Sequence, residues 1–266
     1  MTKNVLFIMC DQLRWDYLSC TGHPHLHTPN IDRLAQRGVL FDRAYVQSPI
    51  CGPSRMSFYT GRYVSSHGST WNNIPLKVGE MTLGDHLRPL GVRTALCGKT
   101  HMTADVEGMK RLGLAPDSAI GALVSECGFE PFEREDGLHP DGPRYPRNKA
   151  YDAFMKDRGW PDENPWNTVA NAAEDEDGNI LSGWFMDNAD KPARASDEES
   201  ETPYITSRAM DFIREAGDTP WCLHLSYIKP HWPYIVPAPY HDMYGPETHL
   251  APVRDDTERA DPHPVY

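Results

Sequence analysis

The stretch that decides the fold reads Val5-Leu6-Phe7-Ile8-Met9-Cys10-Asp11-Gln12. An uninterrupted apolar run that ends in polar residues is typical of a buried, central strand of an α/β sheet. Similar runs recur at 92–97, before Gly98-Lys99-Thr100-His101, and at 221–227, before a proline-rich loop. These runs predict strands whose carboxyl ends carry polar side chains, where ligands of such sheets bind.

Helix signals lie between the strand signals. A capping residue or proline opens each predicted helix, and glycine closes it. The predicted helices begin at Thr28-Pro29 and end at Gly38, span 53–59 before Gly61, run from 82 to 91, and run from 206 to 217. This alternation predicts an α/β fold with a mostly parallel central sheet flanked by helices.

Composition excludes several classes of protein. The 266 residues include 26 Lys and Arg against 38 Asp and Glu, a net charge of −12, which disfavours nucleic acid as a partner. No apolar run approaches the ~20 residues that a membrane span needs. The six cysteines are scattered, and the first apolar run is too short for a signal peptide. We therefore expect free thiols and a cytoplasmic location.

The middle of the chain has a different composition. Residues 128–204 are rich in Pro, Gly, Asp and Glu and show little periodicity. Two acidic runs lie inside this segment, at 174–178 and at 197–201. The composition predicts an irregular, acidic surface excursion rather than an acidic docking motif.

Reactive residue types gather at the predicted strand ends and at one helix start. They are Asp11 and Gln12, Lys99 and His101, Lys229 and His231, and the run Cys51-Gly52-Pro53-Ser54-Arg55. A helix N-terminus favours anions and activates a thiol, and an arginine nearby suits a tetrahedral oxyanion. Taken singly, a lone cysteine or histidine is usually structural and a lone lysine is usually a solvated charge.

The run Cys51-Gly52-Pro53-Ser54-Arg55, followed by Met56-Ser57-Phe58-Tyr59-Thr60-Gly61-Arg62, resembles the signature of the type I sulfatases, in the alkaline-phosphatase-like superfamily. Matching segments lie at 11–12, 28–34, 98–101 and 229–234, so the resemblance covers 4–104 and 205–245. It implies the N-terminal part of an alkaline-phosphatase-like fold. By this resemblance, residues 1–266 form an incomplete N-terminal catalytic domain that contains the 128–204 excursion.

The resemblance also implies a mechanism. Cys51 would be oxidised to formylglycine by a formylglycine-generating or other sulfatase-modifying enzyme. One hydroxyl of the hydrated aldehyde would attack sulfur or phosphorus, and the other would later collapse to expel the bound group. Asp11 would bind a divalent metal, calcium first, with manganese or magnesium as alternatives.

The remaining catalytic roles follow from the same resemblance. Arg55 would hold the diol, and Lys99 would contact the diol or the substrate oxygens. His101 would contact the hydroxyl that collapses. His231 would contact the sulfuryl oxygens or the leaving group, where charge develops.

The substrate class stays divided between two branches of the superfamily. Gln12 stands where many sulfatases have a second aspartate, which resembles the phosphonate monoester hydrolase and choline-sulfatase-like branches. Asn72 lies in a segment that resembles phosphonate monoester hydrolases. Those hydrolases usually lack the pair formed here by Lys99 and His101. Gln12, Asn72 and Lys229 are therefore candidate substrate contacts only.

The chain also departs from the family pattern, because the Asp-His-Gly segment that supplies further metal ligands is missing. Three hypotheses follow: a hydrolase of sulfate monoesters, the same machinery acting on phosphonate monoesters or phosphodiesters, and a non-catalytic fragment that binds an anion or a partner. A thiol redox protein based on Cys51 is disfavoured because no C-x-x-C motif occurs. The expected partners are a small-molecule ester and the modifying enzyme, and homo-oligomer formation is left open.

Overall fold

A computed structural model of the chain describes residues 4–136, 149–252 and 255–262. The strands are β1 (Val5–Cys10), β2 (Arg93–Gly98), β3 (Glu130–Arg134), β4 (Ala172–Glu174), β5 (Ile180–Ser182) and β6 (Trp221–Tyr227). The α-helices are α1 (Pro29–Arg37), α2 (Cys51–Thr60), α3 (Val64–His67), α4 (Leu83–Leu87), α5 (Val106–Arg111), α6 (Ala119–Ser125), α7 (Lys149–Asp157), α8 (Glu201–Ala216) and α9 (Asp256–Ala260).

Four strands form the main sheet, in the order β1-β6-β2-β3, and every pairing is parallel. The predicted α/β fold with a parallel sheet is therefore confirmed. Because the strands are parallel, their carboxyl ends meet at one edge of the sheet, where the predicted polar clusters follow β1, β2 and β6.

Helices cover both faces of the sheet. Ala95 and Leu223 pack with α8 on one face, whereas Leu96 and Cys222 pack on the other face with Met56 of α2. Successive strand side chains point to opposite faces, so each apolar run in β2 and β6 supplies both layers of core. This packing fixes α2, and with it Cys51, against the sheet.

The first strand differs from its prediction. β1 lies at the edge of the described sheet, and Val5, Leu6 and Ile8 are 49%, 44% and 48% exposed. The prediction of a buried central strand is thus wrong for β1 within the described residues. An apolar run specifies an extended segment, but it does not specify which neighbours will cover that segment.

The described part of the 128–204 segment is more ordered than its composition predicts. It contains β3, α7 and the antiparallel β4–β5 pair, and Tyr151, Met155 and Trp166 belong to a buried cluster. Acidic side chains stabilise turns in this segment. The Asp175 carboxylate, for example, accepts hydrogen bonds from the backbone N–H groups of Asp177 and Asn179. Residues 137–148 of the predicted excursion lie outside the described residues.

The chain divides into two units. One consists of Met1–Leu13 and Phe41–His241, and it contains the main sheet. The other consists of Arg14–Leu40 and Asp242–Tyr266, and it contains α1 and α9. None of the helices in the described ranges combines the length and the apolar character that a bilayer crossing needs.

Candidate active site

A cleft of about 740 Å³ opens at the carboxyl ends of the strands, in the unit that holds the main sheet. Five of the predicted site residues line it: Asp11, Gln12, Cys51, Arg55 and His231. Apolar side chains form much of the remaining wall, among them Met9, Leu13, Tyr45, Ile50 and Phe58. The cleft therefore combines a charged end with an apolar wall.

Cys51 is the first residue of α2 and is half-buried. The helix has no side-chain cap from Ile50, and the Asn72 side chain takes that place: its Oδ1 accepts a hydrogen bond from the Gly52 N–H at 2.9 Å. Cys51 Sγ lies 3.6 Å from the Asn72 amide. Asn72, a predicted substrate contact, thus caps the helix that carries the candidate nucleophile.

Arg55 lies one helical turn after Cys51 and is only 3% exposed. Its Nη1 donates to the Lys99 carbonyl at 2.6 Å and to Ser226 Oγ at 2.9 Å. Its Nη2 makes no hydrogen bond with the described residues and lies 3.7 Å from Asp11 Oδ2. Nη1 is therefore anchored to β2 and β6, whereas Nη2 is also buried and lies beside Asp11 without a hydrogen bond to the described residues.

The Lys99 ammonium lies directly behind Asp11. Its Nζ is 2.5 Å from Asp11 Oδ2, and the two side chains are 1% and 7% exposed. Burial alone raises the pKa of Asp11, but the positive charges of Lys99 and Arg55 outweigh burial and hold that pKa below its usual value. Lys99 is absent from the cleft wall, and its ammonium contacts Asp11, so its contact with the diol or the substrate oxygens stays a prediction.

The two histidines differ in their surroundings. His101 is buried, and burial, reinforced by the Lys99 charge, lowers its pKa to about 4, so its ring is neutral at pH 7. His231 is half-buried and lines the cleft, with Nδ1 2.6 Å from the Trp232 carbonyl. Because a carbonyl only accepts, Nδ1 carries the proton in the neutral ring, and Nε2 is left as an acceptor.

Two predicted substrate contacts have protein partners. Gln12 Nε2 donates to the Tyr234 hydroxyl at 2.7 Å, which leaves its Oε1 for a ligand. Lys229 Nζ donates to Asn171 Oδ1 at 2.9 Å and to the Pro233 carbonyl at 2.8 Å. Lys229 does not line the cleft, and its side chain is 22% exposed, so its contact with substrate stays a prediction.

Some residues of the site were missed in the sequence. Tyr59 lies beneath Arg55: Arg55 Nη1 is 3.4 Å from the Tyr59 hydroxyl, which is 2.8 Å from His224 Nε2. Asp136 follows β3 and accepts from the His101 N–H at 3.4 Å. Phe129 and Phe132 are a local signal for β3, but Pro131 between them indicates an irregular segment. Proline is tolerated in an edge strand, and β3 lies at the edge of the described sheet.

The described residues do not supply a complete site for a divalent metal. No group of three or more His, Cys, Asp or Glu side chains gathers anywhere in ranges 4–136, 149–252 and 255–262. Asp11 is the one predicted carboxylate ligand, and Lys99 already bonds to its Oδ2. Hard cations take about six oxygen ligands, so Asp11 and the Gln12 amide fit only part of such a site.

The fold and the cleft define the class as an α/β protein of the alkaline-phosphatase-like type. The chain belongs to the sulfatase family, because the family model described as Sulfatase matches residues 3–252. It is 32% identical over 270 residues to the multifunctional alkaline phosphatase superfamily protein PehA of Trinickia caryophylli, covering 99% of this chain and 49% of that protein.

Two further similarities bear on function. The chain is 28% identical over 268 residues to an arylsulfatase of Clostridium perfringens, covering 96% of this chain and 49% of the relative. It is similar to the solved phosphonate monoester hydrolase SpPMH from Silicibacter pomeroyi, with a TM-score of 0.76 and 28% identity over 96% of this chain and 46% of that one. The chain thus spans about half the length of the relatives it matches.

Proposed function

We propose that this chain carries the nucleophile-bearing part of a formylglycine-dependent hydrolase that cleaves a sulfate monoester. The observation that carries the proposal is the position of Cys51, which opens α2 on the wall of the cleft beside Arg55 and the Asp11–Lys99 pair. Membership of the sulfatase family and the similarity to an arylsulfatase support it.

The surroundings of Cys51 fit a modified side chain. Sγ faces the Asn72 amide on one side and the cleft on the other, so added oxygen atoms have both a polar partner and space. Formylglycine at this position would supply a hydrated aldehyde as the nucleophile. A formylglycine-generating enzyme is therefore the expected protein partner.

Each nearby side chain has a role that its geometry permits. The free Nη2 donors of Arg55 would bind the sulfuryl oxygens, since they form no other hydrogen bond among the described residues. His231 Nε2 would exchange a proton with the leaving group. His101, neutral at pH 7, would accept a proton at position 51. Lys99 would keep Asp11 ionised and in place.

Two measurements test the proposal. The chain is produced with a formylglycine-generating enzyme, and the tryptic peptide 44–55 is analysed by mass spectrometry. Turnover of an aryl sulfate is then compared between the wild type and Cys51→Ala, with Cys20→Ala, a half-buried cysteine of the other unit, as matched control. We expect formylglycine at position 51 and turnover that only Cys51→Ala abolishes. An unmodified thiol contradicts the proposal.

A phosphonate monoester is the second candidate substrate. The similarity to SpPMH, with a TM-score of 0.76, favours it, as does Gln12 in the cleft wall. The ratio of kcat/KM for an aryl phosphonate monoester and an aryl sulfate decides between the two classes. A ratio above one assigns the phosphonate class, and a ratio below one assigns the sulfate class.

The incomplete cation site favours a third outcome, in which residues 1–266 bind an ester without cleaving it. In that case the wild type hydrolyses neither ester with calcium, manganese or magnesium present, yet an aryl sulfate raises its Tm, because a ligand that binds only the folded state stabilises it. Turnover of either ester excludes this alternative.

A further inference from the structure

The end of β3 brings an additional acidic residue to the site. β3 pairs with β2 in parallel, and the ladder continues one residue past β3, since Glu135 N donates to the carbonyl of Gly98, the last residue of β2, at 3.0 Å. Asp136 therefore lies beside Lys99-Thr100-His101, and its side chain is buried. None of the roles proposed above uses this residue.

Each carboxylate oxygen of Asp136 faces a donor. Oδ1 accepts from the backbone N–H of His101 at 3.4 Å, and Oδ2 accepts from Arg134 Nη2 at 2.5 Å. Neither donor can accept a hydrogen bond. A carboxylate satisfies both at once, whereas an amide of the same shape would turn its NH₂ group towards one of them.

A second acid, Glu126, holds Thr100, the residue before His101 in the loop 99–101. Arg134 Nε forms an ion pair with Glu126 Oε1 at 2.7 Å, and Glu126 Oε2 accepts from Thr100 Oγ1 at 2.6 Å. Glu126, Arg134 and Asp136, here called the acid clamp, thus bind both Thr100 and His101. The two carboxylates of the clamp are buried, whereas the Arg134 side chain is 25% exposed, so water competes little for the carboxylate oxygens.

His101 depends on such support. Its φ is +56°, a left-handed conformation that is unfavourable for a residue with a side chain. Its buried Nδ1 has no hydrogen-bond partner among the described residues, so the ring is not fixed through that atom. The hydrogen bond that holds His101 is therefore the one between its backbone N–H and Asp136.

We propose that Asp136 is a positioning residue: together with Glu126 and Arg134 it holds the strained backbone of His101 and so orients the imidazole towards the reacting group. The support of residues 99–101 rests on the contacts of Asp136 with His101 and of Glu126 with Thr100. The link to catalysis rests on the proposed function, in which His101 accepts a proton.

Asp136→Asn tests the clamp, and Glu133→Gln is its matched control. Glu133 lies on β3, three residues before Asp136, is also buried, and pairs with Arg208 of α8 at 3.1 Å. The first readout is amide hydrogen exchange of residues 99–102, which needs no activity. We expect exchange there to be at least about tenfold faster in Asp136→Asn and within about twofold of wild type in Glu133→Gln.

The second readout is kinetic, on whichever ester the wild type hydrolyses. We expect kcat to fall about tenfold to a hundredfold in Asp136→Asn while KM stays within about twofold, because a displaced imidazole impairs the chemical step rather than binding. A merely structural contribution would lower stability equally in both variants and leave kcat unchanged.

The outcomes separate the two proposals. If neither ester is hydrolysed by the wild type, the proposed function fails, and the exchange measurement still decides whether the clamp positions the loop. If Asp136→Asn does not fold, Thr100→Val removes the other arm of the clamp and should give the same faster exchange. Unchanged exchange at 99–102 in a folded variant overturns the proposal.

Discussion

Lys99 Nζ lies 2.5 Å from Asp11 Oδ2, although β6 lies between the strands that carry these two residues. Two strand spacings amount to about 10 Å, a distance that the Lys99 and Asp11 side chains bridge together. The contact therefore ties the carboxyl ends of β1 and β2 together across β6. Arg55 Nη2, 3.7 Å from the same oxygen, adds a second positive charge.

Breaking this pair should cost stability. Lys99→Met leaves the buried Asp11 carboxylate with only Arg55 nearby, and removal of one partner of a buried pair costs about 3–5 kcal/mol. Because Arg55 remains, we expect a loss in the free energy of unfolding of about 3 kcal/mol, the lower end of that range. Urea unfolding with a chelator present measures it.

The double variant Asp11→Asn/Lys99→Met serves as the control for that experiment. It removes both charges, so it should be more stable than the sum of the two single losses predicts, by at least about 1 kcal/mol. Strict additivity would contradict the direct interaction of Lys99 with Asp11.

A glycine in α2 allows a second prediction. A Cβ atom at residue 52 would lie 2.5 Å from Asn72 Oδ1, so Gly52→Ala should displace the side chain that caps α2. We expect a loss of about 1–3 kcal/mol in the free energy of unfolding and a lower kcat, because the helix end that positions Cys51 loses its partner. Thermal unfolding and turnover of the preferred ester measure the two effects.

Gly79→Ala is the matched control for Gly52→Ala. No heavy atom lies within 4 Å of a Cβ atom built at residue 79. Gly79→Ala should change the free energy of unfolding by no more than about 0.5 kcal/mol and leave kcat unchanged. An equal loss in both variants would mean that glycine flexibility, rather than the contact with Asn72, explains the result.

The sequence predicted the elements that depend on local signals. The apolar runs ending at Cys10 and Tyr227 are strands, and polar residues do follow them, because a short apolar run with turn residues beside it is a local signal. The carboxyl edge of the sheet could be anticipated in the same way, since parallel strands align their ends.

Features that depend on neighbours could not be predicted. Nothing local indicates that Val5 is exposed, because exposure depends on which strand lies beside β1. The partners of Lys229 lie at Asn171 and Glu201, inside the segment expected to be irregular. Asp136 was missed for the same reason, since its role appears only when β3 pairs with β2.

The incomplete cation site leads to a third prediction, on metal binding. One carboxylate and one amide cannot match the oxygen sites that bind calcium with millimolar affinity or better. We therefore expect 1 mM CaCl₂ to stabilise residues 1–266 by no more than about 0.4 kcal/mol, the value for a Kd equal to the ligand concentration. Thermal unfolding with and without CaCl₂ measures this. A gain of about 2.7 kcal/mol or more that disappears in Asp11→Asn would show a complete site instead.

The last prediction concerns acid stability and rests on His224, which lies in β6 beneath Arg55. Its side chain is 0% exposed, with Nε2 2.8 Å from the Tyr59 hydroxyl and Nδ1 3.4 Å from the Phe7 carbonyl. Burial, aided by the Arg55 charge, lowers the pKa of His224 from 6.5 to about 3. The folded protein therefore keeps this ring neutral at pH values where the unfolded chain already binds a proton.

The sign of the effect follows from that difference. Above pH 6.5 His224 is neutral in both the folded and the unfolded state, so it does not lower the free energy of unfolding. Between pH 6.5 and pH 3 only the unfolded state binds the proton at His224, so the free energy of unfolding decreases as the pH falls. The loss attributable to His224 is at most about 5 kcal/mol.

His224→Gln keeps an acceptor for Tyr59 but cannot titrate, so its free energy of unfolding should fall less steeply than that of the wild type across this range. His86→Gln, at an exposed position, is the control and should follow the wild-type curve. Urea unfolding at half-unit pH steps gives the three curves, and a His224→Gln curve parallel to the wild type would refute the assignment of a neutral, buried His224.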